Sequence, residues 1–405
     1  MTTSASDPAR PDACPEPTGP LRRPGRRRWF VVICLLGIPL SLVGLDHLAD
    51  ATLSLPARHL LFPSRSKIRH ESSEFDVEVL ISEQGLRDKQ RSPTPPPGGT
   101  RMVAIGDSFT FGWGVTAEQA WPSVVERLGG GINETTEVIN MGFPGASPND
   151  YTRIIRTAIR EFHPEVILVG TLQGDDLIQL VEQEPPEVAW SDRVRAAAFP
   201  TLDRWLRPEP SAMESYRSVF LKSQAYLRST WTDEQKQRYQ SLSPGVRQAY
   251  ESGLLNPSLL HTAIVNPRRF EAPLDEGPRW HTNATARWRR CVNEWAAACR
   301  DARIELYVVI VPDGPYVSAA AADGMAAVGY VASSRLRKTT VFQDIVSDTS
   351  LEAGAGLINP VAEFREAARG DAVGGDYFEL DGHFTPSGHE RLGRAVIRAI
   401  WPPVE

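Results

Sequence analysis

Beyond residue 101, short and almost wholly apolar runs recur between amphipathic segments, and this alternation constrains the fold more than any other feature of the chain. Met102 to Ile105, Glu137 to Met141 and Glu165 to Thr171 have the length and β-branched content of strands, while segments around Ala120 to Leu128 and Asp150 to Phe162 carry helical periodicity. A strand that is apolar at successive positions, not at alternate ones, must be covered on both faces, which is the condition of a parallel sheet between helix layers. The pattern resumes at Ile304 to Val311 and Gly356 to Val361, and a last helix is predicted over Ser387 to Trp401. Five strands of this kind predict an α/β sandwich of three layers.

Between about 183 and 300 no such strand occurs, and proline-rich turns separate helical segments such as Ser215 to Arg228 and Asp233 to Gln240. This stretch reads as a helical insertion. Its aromatic residues Trp190, Trp205, Tyr216, Tyr226, Trp231, Tyr239 and Tyr250 are expected to pack a small subdomain, with the floor of a groove as the alternative. Upstream of the sandwich, Phe75, Val77, Val79 and Ile81 alternate with polar residues in the manner of a half-buried strand, and Gly85 to Asp88 turn the chain. Four prolines and two glycines between Ser92 and Gly99 read as a linker, so residues 46–100 form a lead-in and the main domain spans 101–401.

The N-terminus has a different character. Arg22, Arg23, Arg26, Arg27 and Arg28 stand in a basic tail, residues 1–28, immediately before the apolar run Trp29 to Leu45. Positive charge is retained in the cytoplasm, so a signal anchor over 29–45 places everything after it on the outer side, periplasmic or extracellular. The run has 17 residues including Pro39, slightly under the roughly 20 of a full span. A cleaved signal peptide ending at Ala49-Asp50-Ala51 is the competing expectation. The formal net charge of -6 is modest and Lys and Arg cluster nowhere else, which excludes nucleic acid as a partner of the folded part. Of the four cysteines, Cys14 and Cys34 precede or lie within the apolar run. Cys291 and Cys299 lie eight residues apart on one helix, about 12 Å, too far to bridge, and are expected to pack. No zinc spacing and no cofactor motif is present.

In an open parallel sheet, ligands gather beyond the carboxyl ends of the strands. The residues at those positions are Gly106-Asp107-Ser108, Asn140 to Gly145, Gly174-Asp175-Asp176 and, before the last helix, Asp381-Gly382-His383-Phe384-Thr385-Pro386. A serine hydroxyl needs a base to become a nucleophile, and acyl transfer needs donors for the oxyanion. His383 is the candidate base for Ser108, Asp381 the group that orients it, and the amides of Ser108 and Gly145 the oxyanion donors. A metal site built from Asp381, His383 and His389 is the weaker reading, because His389 opens the final helix and serves equally as a capping or packing residue. Phe111 and Trp113 are expected in the pocket wall.

These turns, in this order over roughly Arg101 to Trp401, resemble the four sequence blocks of the SGNH hydrolase (GDSL esterase/lipase) superfamily, in a membrane-anchored bacterial form. Ile105 to Gly114 resembles the nucleophile block, Asn140 to Gly145 the second and Asp381 to His389 the last. The resemblance implies a flavodoxin-like three-layer sandwich with a central parallel sheet of about five strands, a Ser108-His383-Asp381 triad, an oxyanion amide at Gly145 and no cofactor or metal. Two departures stand out. Asp381 and His383 are two residues apart, where many members have three; and Asp175 occupies the third-block position where the family has an asparagine that donates to the oxyanion. An ionised carboxylate has no proton to give and repels the developing charge. The expected accommodations are a protonated Asp175, a donor recruited from Gln173 or Asn149, or a slow or inactive enzyme. The implied function is a serine esterase for short acyl esters such as acetyl. The alternatives are an O-acyltransferase or deacetylase working on envelope polysaccharide or glycolipid, and a catalytically lapsed carbohydrate- or lipid-binding protein.

Overall fold

A computed structural model describes residues 30–31, 33–52, 59–132, 135–183, 189–206, 213, 215–370 and 375–402. The chain forms two compact units, one of residues 1–53 with 190–203 and one of residues 54–189 with 204–405. In the smaller unit a π-helical turn, Ile33–Gly37, runs into the helix Ile38–Thr52. The Asp46 carboxylate accepts from the backbone N–H groups of Thr201 and Leu202 at 2.8 and 3.1 Å, so it caps the start of the helix Pro200–Trp205. Among the described residues no helix is long and apolar enough to cross a membrane. The basic tail, Cys14, and Trp29 and Val32 of the apolar run lie outside the described residues.

The larger unit opens with an antiparallel pair, β1 (Lys67–Glu71) and β2 (Asp76–Leu80), in the register Ile68 to Val79. The period-two pattern foreshadows β2, whereas β1 carries Arg, His and Lys and gives no such signal. The central sheet is formed by β3 (Arg101–Gly106), β4 (Glu137–Gly142), β5 (Val166–Leu172), β6 (Glu305–Val311) and β7 (Gly356–Ile358), all parallel, in the order β4-β3-β5-β6-β7. This is the flavodoxin-like order. β3 and β5 are buried at every position, as strands sandwiched between helix layers must be. The helix Pro278–Ala302 packs between Pro148–Phe162 and Val341–Ala353, and Trp121–Gly129 packs with Pro386–Ile400. β7 ends at Ile358, short of the expected Val361. Pro360 has no N–H for a ladder, and the Asn359 side chain accepts from Val361 N at 3.2 Å to start the helix Val361–Gly370.

The insertion resolves into two parts. Trp231, Tyr239, Tyr250, Leu260 and Ile264 form a separate core that also takes in Met325 and Tyr330, whereas Trp288, Cys291, Val292, Trp295 and Cys299 on Pro278–Ala302 belong to the main core. Both cysteines are therefore packing residues, free and buried. The lead-in is bound tightly to the sandwich. Arg87, almost fully buried, donates to the carbonyls of Phe111, Gly112 and Val115; Asp88 accepts from Asn140 N at 2.9 Å; and Arg91 donates to Val138 O at 2.9 Å. Trp288 has no exposed surface and packs edge-on against Trp295. Trp288→Ala should therefore cost about 3–5 kcal/mol, read as a lower urea midpoint at unchanged m.

Candidate active site

β3 delivers Ser108 to the carboxyl edge of the sheet. Gly106 ends the strand, Asp107 caps the four-residue helix Ser108–Phe111 by accepting from Phe109 N at 2.9 Å, and Gly112 in the left-handed region closes it. The helix lies hard against the strand ends. A Cβ on Gly142 would stand 2.1 Å from Phe111 N, and one on Gly106 would stand 2.2 Å from Thr110 Oγ1. Burial pushes the Asp107 carboxyl up to about 6.

The Ser108 hydroxyl meets His383 Nε2 at 2.7 Å, and His383 Nδ1 meets Asp381 Oδ1 at 2.6 Å. Asp381 Oδ2 accepts from the Trp113 indole N–H at 3.2 Å. Burial opposes the charge on Asp381, but His383 and the indole outweigh it and hold the carboxyl below its ordinary value. The two-residue spacing between Asp381 and His383 is accommodated by Gly382 at φ +81, which reverses the chain so that both side chains meet. Trp113 in turn packs against His70 of β1, with ring centroids 4.1 Å apart. Burial drives His70 down to about 3, so this ring is neutral at physiological pH.

Ser108, His383 and Asp381 line a cavity of about 450 Å³ together with Gly145 and Asp175, so all five residues expected from the sequence reach one place. Gly145 has φ +80 and no atom within 4 Å of where its Cβ would be, so it stands at an open rim. The opposite wall comes from the insertion and from the segment after β6, through Tyr216, Phe220, Leu259, Phe270, Met325 and Tyr330. The expected aromatics thus divide. Tyr216 lines the cavity, Trp231, Tyr239 and Tyr250 pack the second core, and Trp190, Trp205 and Tyr226 are exposed.

Asp175 is not a free carboxylate. Its Oδ1 takes Arg269 Nε at 3.1 Å and Nη2 at 2.8 Å, its Oδ2 takes Gln179 Nε2 at 2.5 Å, and Arg269 also pairs with Glu182. Burial works against the Arg269 charge, yet its two carboxylate partners hold it above the ordinary value. The donors expected from Gln173 and Asn149 do not line the cavity, and the Gln173 side chain is buried with neither polar atom paired. His389 is fully buried in the last helix and its Nδ1 accepts from Trp121 N at 3.2 Å, which makes it a packing residue between two helices. Sequence reasoning missed Arg269, Glu74 and the acceptor role of Asp381 toward Trp113. Nothing in the local pattern around Arg269 marks it, because its partner lies 94 residues away.

No protein-family model matches the chain, and no curated protein matches its sequence. Among solved structures it is similar to TesA, at 10% identity and a TM-score of 0.37 over 75% of this chain and 100% of that one. It is also similar to a putative lipolytic protein of the G-D-S-L family from Desulfitobacterium hafniense (12% identity, TM-score 0.35, 74% and 99% covered). A catalytic mutant of the acetylxylan esterase Axe2 from Geobacillus stearothermophilus matches at 12% identity and a TM-score of 0.33, with 75% and 94% covered. The geometry of the site stands independently of these likenesses.

With Arg269 removed, Asp175 becomes a part-buried charge without a cation. Arg269→Ala should lower stability by about 2 kcal/mol, between the values for exposed and buried pairs, and Asp175→Asn in the same background should recover part of the loss in urea unfolding.

Proposed function

We propose that this cavity hydrolyses acyl esters through a covalent acyl-enzyme on Ser108, in the manner of the SGNH hydrolases that the sequence blocks resemble. The observation that carries the reading is the continuous hydrogen-bonded chain from Ser108 Oγ through His383 to Asp381, at 2.7 and 2.6 Å. His383 Nε2 takes the hydroxyl proton as Oγ attacks the acyl carbonyl, and Asp381, held ionised by its two donors, stabilises the imidazolium that forms. The imidazolium returns the proton to the leaving alkoxide. Water then attacks the acyl-enzyme with His383 again as base, and the acid departs as Ser108 regains its proton.

The Ser108 and Gly145 amides are the donors this reading assigns to the oxyanion. In this reading Asp175 adds no donor, and the repulsion expected of a bare carboxylate is reduced by the Arg269 guanidinium paired with it. A cavity of about 450 Å³ exceeds what a short acyl group fills, which supports a second reading in which a hydroxyl-bearing acceptor sits beside the acyl-enzyme and takes the acyl group in place of water. An anchor over 29–45 would set that acceptor among envelope polysaccharides or glycolipids.

Ser108→Ala should lower p-nitrophenyl acetate turnover by at least about a thousandfold and abolish covalent labelling by a fluorophosphonate. Labelling that persists in the variant sinks Ser108 as the nucleophile, and a wild-type protein that neither labels nor turns over sinks the reading in favour of a binding protein. An added oligosaccharide that becomes acetylated while hydrolysis falls selects transfer over hydrolysis.

A further inference from the structure

The loop that carries Asp381 is gripped by a residue from outside the sandwich. Glu74 sits in the turn between β1 and β2, where the Ser72 hydroxyl accepts from the backbone N–H groups of Glu74 and Phe75 at 3.0 and 3.1 Å and fixes the turn. The Glu74 carboxylate accepts from three successive amides: Oε1 from Glu379 N at 2.5 Å, and Oε2 from Leu380 N at 3.1 Å and Asp381 N at 2.8 Å. Beside it, Phe75 packs on Phe378 with ring centroids 4.9 Å apart. Among the described residues no lysine or arginine pairs with Glu74, so those three N–H groups are what the carboxylate holds. Successive backbone N–H groups turned toward one point form an anion-binding concavity, here filled by a side chain some 300 residues away in sequence.

We propose that Glu74 is a positioning residue for Asp381: by fixing the three amides that lead into it, the Glu74 carboxylate sets where the acid of the Ser108-His383-Asp381 chain stands. The inference rests on the triad reading above. The His383 to Asp381 contact of 2.6 Å tolerates little movement, and Gly382 in the left-handed region offers the loop no stiffness of its own. Two further observations fit. Trp113, the other donor to Asp381, is backed by His70 of the same hairpin, so one lead-in element braces both the backbone and the carboxylate of the acid. Burial raises the Glu74 carboxyl above its ordinary value, with the nearby Asp381 charge adding to it and the three amides opposing. A protonated Glu74 loses acceptor capacity, so the grip weakens as pH falls through that raised value and is complete above it.

The test uses the full chain and its Glu74→Ala and Glu74→Gln variants. It reads kcat and KM on p-nitrophenyl acetate across pH, the rate of fluorophosphonate labelling of Ser108, the downfield imidazole N–H resonance of His383, and the thermal midpoint. The alanine variant is expected to lose about ten- to a hundredfold in kcat and in labelling rate, with KM within about twofold and the His383 resonance shifted or broadened. Glutamine, whose amide oxygen still accepts, should recover part of the rate and lack the acid-side loss that Glu74 contributes to the wild type. Unchanged kcat and an unchanged resonance in the alanine variant overturn the inference, as does a loss that tracks only the folded fraction. Where the alanine variant does not fold, the glutamine variant decides: an acid limb identical to wild type overturns the role. A wild type that neither labels nor turns over fails the triad reading, while the His383 resonance still judges whether Glu74 orders the loop.

Discussion

The short helix bearing Ser108 rests directly on the ends of two parallel strands, and that contact is the constraint on which the rest of the site depends. It is possible only because Gly106 and Gly142, paired across β3 and β4, present no side chain where Thr110 and Phe111 descend. Any Cβ at Gly142 would meet backbone, which cannot swing aside as a side chain can. The hydroxyl is thereby fixed at the edge where β3 and β5 lie side by side, the point at which the strand order of the sheet reverses direction.

The histidine and the acid arrive from the far end of the chain and share no strand with Ser108. Their loop is held in place by neighbours on different elements: Trp113 from the turn after the Ser108 helix, Glu74 from the lead-in hairpin and a close packing of Gly324 against Glu379. A hydrogen-bonded relay needs heavy-atom distances near 2.7 Å at both links, and a loop with a left-handed glycine beside the acid reaches them only when its surroundings are rigid. The lead-in is thus joined to the sandwich by contacts at the Asp381 loop as well as by the buried Arg87 and Arg91.

At Asp175 the chain departs from the pattern it otherwise resembles, and the structure gives that carboxylate a partner that the sequence did not foreshadow. The carboxylate is neither replaced by Gln173 or Asn149 nor left bare; Arg269, brought in by the insertion, binds one of its oxygens with two N–H groups. The same guanidinium also pairs with Glu182, so one cation serves two carboxylates. The insertion therefore does two things at once, walling the cavity with aromatic and aliphatic side chains and placing a cation against Asp175 in its lining.

The parallel sheet, its five strands and the residues at their carboxyl ends were written in the amino-acid order, because burial on both faces leaves an unbroken apolar run and because the strand-end residues stand in short local motifs. Ser108, Gly145, Asp175, Asp381 and His383 were legible for that reason. What those residues touch was settled by the folded chain. Arg269 and Glu74 act across 94 and about 300 residues, and a charge that matters through a distant partner leaves no periodicity, spacing or neighbour to betray it. The division of the aromatics between cavity, second core and surface was equally hidden, since a tryptophan carries the same apolar signal wherever the fold puts it.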